Sequence, residues 1–404
     1  MGSSVRRGSC GDNRPMNAAA ARRLVSPPHG LLVDAAERWG TPLYVTDLDA
    51  ASSAAHAWRE ALPGALVAYA VKANPDPALL RRLAGQGFGF EVVGSVELAL
   101  AVGAGGSPER IVVNGVGQTD ADLADALATG ALVNAESFGA LAALIALGSS
   151  GRIGMRINPG LDAETHPHLA TGRAAAKFGI ALDELPAALE RLRVARIQLT
   201  SIGAHIGSDI PDPEPFGRLA TLLAGIAEEA GAERIDLGGG FAGPPAAWAS
   251  TVLPNLPRTE RLIVEPGRGI VRDAGWLLTR VVRVQARGHL IADAGMTELL
   301  RPMLYGARHP VTVLTPGEQL PAADRGWTLS GPVCEAGDLL ARDLAEASGE
   351  GALLAIGQVG AYGSAMASGY NGRLRPAQAV IEGGSLRLSR RRETFADVVA
   401  RDEA

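Results

Sequence analysis

The chain is short of cysteine, of surplus positive charge and of long apolar runs, and each shortage excludes something. Two cysteines among 404 residues, Cys10 and Cys334, do not make a disulfide framework. That scarcity suits a reducing compartment, and a cytoplasmic location is expected. Lys and Arg number 38 against 43 Asp and Glu, for a net charge of −5. A pI near 5.9 leaves no basic face for nucleic acid. No apolar run reaches the ~18 residues of a membrane span, so no membrane role is expected. The opening "MGSSVRRGSCGDNRPMNAAAARR" has no apolar h-region. It reads as a disordered tail over residues 1–25 rather than a signal peptide, with Met16 a candidate second start. No low-complexity linker interrupts the rest. What is present is a globular composition, 47% hydrophobic and 20% charged, long enough for a large domain and a second one.

Short β-branched segments alternate with Ala/Leu-rich helical ones. In order they are "VAYAVKAN" (67–74), "GFEVVG" (89–94), "RIVVNG" (110–115), "LVNAES" (132–137), "GMRINPG" (154–160), "IGAHIGS" (202–208), "RIDLGGG" (234–240) and "RLIVEPGR" (261–268). The first five begin about 22 residues apart, the length of one strand, one helix and two short loops. Between them, stretches such as "DPALLRRLAGQ" carry apolar residues at helical spacing. Eight such βα units predict an α/β fold whose main part is a (β/α)8 barrel over 47–278. Beyond it, "HPVTVLTP" and "AQAVIEGGSLRLSRRRET" alternate with period two between Gly/Pro turns. A β-rich second domain (sandwich or barrel) is expected over 279–404, joined by 26–46 with its strand-like "TPLYVTD".

Each barrel strand ends in polar or glycine residues, and the C-terminal ends of barrel strands carry the site. Lys72 closes the first. A lysine there can be a Schiff-base nucleophile, above all with pyridoxal phosphate; alternatively it is paired with Glu91 or Glu136. The triple glycine of "LGGGFAGPP" and the loop "EPGRG" offer backbone amides to a phosphate. Glu265 could pair with a pyridinium nitrogen. His205 could lie flat on an aromatic cofactor, or be a core histidine satisfied by hydrogen bonds. No metal-ligand pattern stands out.

With Lys72, His205, Gly238–Gly240 and "EPGR" (265–268) in this order, the chain resembles the fold-type III pyridoxal-phosphate decarboxylases. It is most similar to the diaminopimelate decarboxylases, from about residue 40 to 395, on "YAVKAN", "HIGS", "DLGGGF", "EPGR", "GPVCEAGD" and "YNGRLRP". The resemblance implies that Lys72 holds the cofactor and His205 stacks on its ring. It implies further that Ser208, Gly238, Gly239, Gly240, Gly267, Arg268 and Tyr362 bind the cofactor, with Glu265 at its nitrogen. Cys334 and Glu335 match a pair that a second subunit inserts into the site, Cys334 as proton donor, so a homodimer with shared active sites is implied. Read alone, Cys334 is a small buried hydrophobe.

Arg268, Arg301 and Tyr305 match positions that hold the substrate's distal end, with Glu335 near a distal amine. Arg301 and Tyr305, four apart, share a face on a helical turn, and arginine suits a carboxylate; alternatively Arg301 forms a solvated or domain-bridging ion pair. Where related ornithine decarboxylases carry an aspartate after the tyrosine, this chain has Gly306. The chain departs from the family pattern at Glu91, Gly94, Ser95, Val96, Gln118, Ala204, Asp209 and Ala336. These departures tip the expectation toward a carboxy-lyase of secondary metabolism, such as antibiotic biosynthesis. Its substrate would be a specialised amino acid, or an aminoacyl group on an acyl carrier protein. The alternatives are meso-diaminopimelate decarboxylation to L-lysine, a fold-type III racemase, and a non-catalytic pyridoxal-phosphate carrier.

Overall fold

The computed structural model describes residues 28–147, 152–162, 171–321, 326–400 and 402; the tail expected over 1–25 lies outside them. The described strands are β1 Leu43–Asp47, β2 Leu66–Ala70, β3 Gly89–Val92, β4 Ile111–Val113, β5 Leu132–Ala135, β6 Arg152–Asn158, β7 Ile180–Ala181, β8 Ser201–Gly203 and β9 Arg234–Asp236. They continue with β10 Leu262–Val264, β11 Gly275–Gln285, β12 His289–Ala292, β13 Val311–Thr315, β14 Trp327–Ser330, β15 Leu339–Leu344, β16 Leu353–Ile356, β17 Ala377–Glu382 and β18 Ser385–Arg390.

Eight of them, β2–β6 and β8–β10, run parallel in the order β5-β4-β3-β2-β10-β9-β8-β6, and pairing of β5 with β6 closes the ring. Each overlaps one of the eight segments read from the sequence, with β2, β6 and β8 starting one or two residues earlier, and β7 hangs on the edge of β6. The strands read as unbroken apolar runs because both faces are covered, one by the barrel interior and one by helices. All five residues of β2 are buried, as are all four of β5. Helix starts are set locally. Asp76 accepts the amide of Ala78 ahead of helix Pro77–Gly85, Thr119 and Asp122 form a reciprocal box, and Ser137 caps Phe138–Ala146.

The eighth unit differs from the simple repeat. After β10 the chain makes only a four-residue helix, Arg268–Val271, before leaving the barrel. A longer helix from the N-terminal side, α2 Leu48–Ala61, packs against that short helix and against Pro77–Gly85 and Pro245–Val252. It stands where the eighth outer helix belongs. Asp47, the last residue of β1, caps it through the amides of Asp49 and Ala50.

In the second sheet β1 lies between β11, antiparallel, and β17, parallel. The chain's start is thus stitched to its end. The sheet order is β15-β14-β12-β11-β1-β17-β18, with β16 joining β11 to β13. Helix α1, His29–Trp39, packs against β1, β13, β17 and β18. Strand β11 starts at Gly275, so a boundary at 278 falls inside it. Among the described residues no helix is long and apolar enough to cross a membrane, and no cluster of His, Cys, Asp or Glu is placed to hold a metal ion.

Candidate active site

Strand register decides which polar residues meet. Ala70 of β2 lies opposite Glu91 of β3, which lies opposite Val112 of β4. Lys72 sits two residues past Ala70 on a single turn, Val71–Ala73, and Asn114 two past Val112. Lys72, Glu91 and Asn114 therefore share one edge of a cavity of about 420 Å³ at the barrel mouth, which His205, Asp236 and Glu265 also line. That volume suits a small-molecule site.

Lys72 Nζ donates to Glu91 Oε2 at 2.6 Å, so the ion-paired alternative is present in the structure, with Glu91 as the partner. Glu136 instead accepts from Arg156 Nη1 at 3.0 and 3.1 Å. The pairing with Glu91 leaves the lysine side chain part-exposed. The Lys72 side chain is 34% exposed, while that of Glu91 is 1% exposed, so the nitrogen faces the cavity. Burial opposes its charge, but Glu91 and then Glu265 outweigh that, holding Lys72 above its ordinary value.

The opposite wall is acidic. Glu265 follows β10 and Asp236 ends β9, and both are nearly fully buried. Burial first, then Asp236 and Glu91, push the Glu265 carboxyl up. Burial likewise pushes Asp236 up to about 6, against the amide of Gly238, which donates to it at 2.9 Å. Asn114 Nδ2 donates to Glu265 Oε1 at 2.8 Å. His205 completes the wall. The Gly239 amide donates to its Nδ1 at 3.1 Å, which leaves the ring proton on Nε2. Burial, then Arg156 and Lys72, hold this imidazole well below its ordinary value, so the ring is neutral.

The glycine loops lie beside this wall. Gly240 has φ +101°, and a Cβ there would stand 1.9 Å from the Gly207 carbonyl oxygen, so only glycine lets the loop after β9 run against "HIGS" and Ser208. Gly267 packs on Ala70 and Ala73. Tyr362, from the β-rich domain, donates its amide to the Ala73 carbonyl at 2.8 Å. The Arg268 guanidinium lies 5.1 Å from the Tyr362 ring centre. Arg301 opens the one-turn helix Arg301–Tyr305 with its guanidinium 5.5 Å from the Tyr305 ring, as the four-residue spacing predicts. Arg268 and Arg301 are buried, and the Nε of each has no hydrogen-bond partner among the described residues. Arg268 has an ion-pair contact of 3.9 Å with Asp209, and no ion pair of Arg301 is seen among the described residues. The solvated or bridging alternative for Arg301 is thus not what the structure shows. These two guanidiniums form a cationic corner suited to an anion.

Cys334 and Glu335 are not brought to this cavity within one chain. Both are exposed on the loop between β14 and β15, so the buried-hydrophobe alternative for Cys334 is corrected. Tyr370 donates to Glu335 at 2.8 Å. Sequence reasoning missed Asp236, Arg156 and the amide of Asn134 as members of the site, and it marked Asn114 as a polar strand end without giving it a role. Asp236 did carry a signal, a carboxylate set in an apolar strand directly before the glycines.

The donor set fits pyridoxal phosphate. A cavity-facing amine, a neutral imidazole face, a buried carboxylate pair, and glycine loops without side chains match the aldehyde, ring, ring nitrogen and phosphate in turn. A (β/α)8 barrel with this set defines a class of cofactor-dependent lyases, and the comparisons agree. Residues 48–272 match the family described as pyridoxal-dependent decarboxylase, pyridoxal binding domain, and the chain belongs to that family. It is 40% identical over 382 residues to the diaminopimelate decarboxylase of Deinococcus radiodurans, covering 91% of this chain and 97% of the relative. It is 39% identical to that of Pseudomonas aeruginosa, over 90% of this chain and 93% of the relative. Helicobacter pylori diaminopimelate decarboxylase complexed with L-lysine superimposes with a TM-score of 0.85 at 34% identity, covering 91% of this chain and 98% of that one. The protein is a fold-type III pyridoxal-phosphate-dependent carboxy-lyase, similar to the diaminopimelate decarboxylases.

Proposed function

We propose that the protein removes the α-carboxyl of meso-diaminopimelate to give L-lysine. The observation that carries this is the buried cationic corner of Arg268 and Arg301 beside Tyr305, a place for a carboxylate at the far end of the substrate. The sequence departures tipped the expectation toward a specialised or carrier-bound amino acid. The diaminopimelate relatives support the alternative instead, and nothing in the site calls for a carrier protein.

When bound, pyridoxal phosphate supplies the electron sink for the pair left behind as CO₂ departs. The chain's residues do the rest. Lys72 Nζ would hold the cofactor, with Glu91 Oε2 at 2.6 Å in reach of a proton on that nitrogen. Glu265 receives the ring N–H. The neutral His205 ring would support the cofactor's aromatic ring. Ser208, the amides of Gly238–Gly240 and Gly267, and Tyr362 bind the phosphate. Arg268, Arg301 and Tyr305 fix the distal carboxylate, which aims the α-carboxyl for loss. A second copy of the chain brings Cys334 and Glu335, where Cys334 returns a proton to Cα. The open position of those two residues on one chain supports such a homodimer.

The test is CO₂ release and lysine formation from meso-diaminopimelate by cofactor-loaded protein and by Lys72→Ala. Release by the first, with loss of both release and the lysine-dependent visible absorbance in the second, is expected. An intact absorbance band without CO₂ release would sink the substrate assignment, and racemisation without CO₂ would favour the racemase.

A further inference from the structure

The wall of this cavity carries a hydrogen-bonded relay through Asn114, Asn134 and Ser201 that the mechanism above does not use. Asn114 Nδ2 donates to Glu265 Oε1 at 2.8 Å and to Glu91 Oε1 at 3.3 Å. One amide group thus bridges the carboxylate that pairs Lys72 and the carboxylate placed for the ring nitrogen. Its orientation is determined from behind. Asn134 Nδ2 donates to Asn114 Oδ1 at 2.9 Å, and Ser201 Oγ donates to Asn134 Oδ1 at 2.9 Å. A flipped Asn114 would aim its oxygen at two carboxylates and its NH₂ at another NH₂. The relay is also built in space. A Cβ at Gly154 would stand 1.9 Å from Asn134 Oδ1 and 2.2 Å from Ser201 Oγ, so only glycine leaves room for it. Asn114, Asn134 and Ser201 are all buried.

Buried like charges repel, and burial with Asp236 and Glu91 close by pushes the Glu265 carboxyl up. A donor shared between Glu91 and Glu265 stabilises the ionised form of both and keeps each aimed. We propose that Asn114 is a positioning residue that ties the two ends of the cofactor site together, holding Glu265 ionised at the ring nitrogen while moderating the pull of Glu91 on Lys72. This rests on the decarboxylase reading above and deepens it. The charged or titratable groups around Lys72 are Glu91 and Glu97 on and beyond β3, Glu265 after β10, His205 after β8, and Tyr362 from the β-rich domain. Glu265 also faces Asp236 of β9, and Arg156 of β6 faces both His205 and Asp236.

The experiment uses Asn114→Leu, which removes the donor at similar volume, and Asn114→Asp, which keeps the shape and turns donor into acceptor. Each is loaded with pyridoxal phosphate and its visible absorbance is titrated from about pH 5 to about pH 10. The cofactor dissociation constant and melting temperature are recorded alongside. Without the donor, Glu91 pulls harder on the proton at the lysine end, so the absorbance midpoint should rise by about one pH unit or more in both variants, a tenfold change in proton affinity. The cofactor dissociation constant should rise about tenfold or more in Asn114→Asp, with a near-normal melting temperature. Loss of cofactor binding from folded Asn114→Asp counts as that same effect at its extreme. Gln118→Ala is the control, since Gln118 donates to the Asn114 backbone carbonyl at 3.3 Å and not to its side chain; it should leave the midpoint in place. Asn114→Asp is decisive should the leucine variant fail to fold. An unmoved midpoint and unchanged affinity in folded Asn114→Asp would overturn the proposal while leaving the decarboxylase reading standing. A lysine-dependent band missing from the unmutated protein would overturn that reading and this proposal with it.

Discussion

Replacing Arg301 should make the protein more stable and the enzyme worse. The Arg301 residue is 5% exposed and its Nε has no hydrogen-bond partner among the described residues. Burial, then the nearby Arg268 guanidinium, push its pKa down to about 10. The sign follows from that direction. A cation whose folded pKa is depressed destabilises the fold at every pH below the folded value. That cost is relieved only as the pH rises past about 10 toward the unfolded value. A displacement of more than two pH units corresponds to roughly 3 kcal/mol at most. Arg301→Met keeps a long apolar stem, removes the charge and should recover about 1–3 kcal/mol, raising the melting temperature by about 2–5 °C. The same change removes charge-assisted hydrogen bonds to the distal carboxylate, each about 1.5–3 kcal/mol. A bidentate pair lost should lower kcat/KM for meso-diaminopimelate by about 10²-fold or more. Thermal unfolding of the protein without substrate and steady-state CO₂ release measure the two halves. An Arg301→Met protein that melts lower and turns over normally would refute the reasoning, because Arg301 would then be a structural ion-pair partner.

Two further outcomes follow from the same structure. Asp236, pushed up to about 6, binds a proton in the folded chain that it has lost in the unfolded one between about pH 4 and that value. Stability from this group therefore falls as pH rises through that window, and Asp236→Asn should flatten the fall in denaturant unfolding at about pH 4.5 and pH 7; an unchanged slope would assign it elsewhere. Cys334, exposed on one chain, should be alkylated readily in dilute protein and be protected as concentration drives association, read by mass spectrometry of its peptide; labelling that ignores concentration would speak against a shared site.

Much of the barrel was legible because its signals are local. The apolar run of β2 must be covered on both faces, and the caps at Asp76, Thr119 and Ser137 act within a few residues of themselves. Helix α2 was not legible as the eighth outer helix. Nothing near Leu48–Ala61 says that the chain after β10 will leave the barrel after four helical residues and need a cover from the other end. The strands β14 and β15 escaped for a similar reason, since their pairing depends on a sheet seeded by β1 and β11.

The sequence by itself determined the parts of the site: a lysine at a strand end, glycines where backbone must approach closely, and arginines four residues from a tyrosine or next to a glycine loop. Those are properties of residue types and short spacings. Only the tertiary structure decided their partners. Which carboxylate takes Lys72 was settled by the β2–β3 register, which puts Glu91 across from Ala70 and leaves Glu136 to Arg156. Which amide bridges Glu91 and Glu265, 174 residues apart in sequence by the difference of their numbers, was settled by closure of the barrel. Hydrogen bonds and buried charges act over a few ångströms, and only the closed ring of strands brings such distant residues within that range.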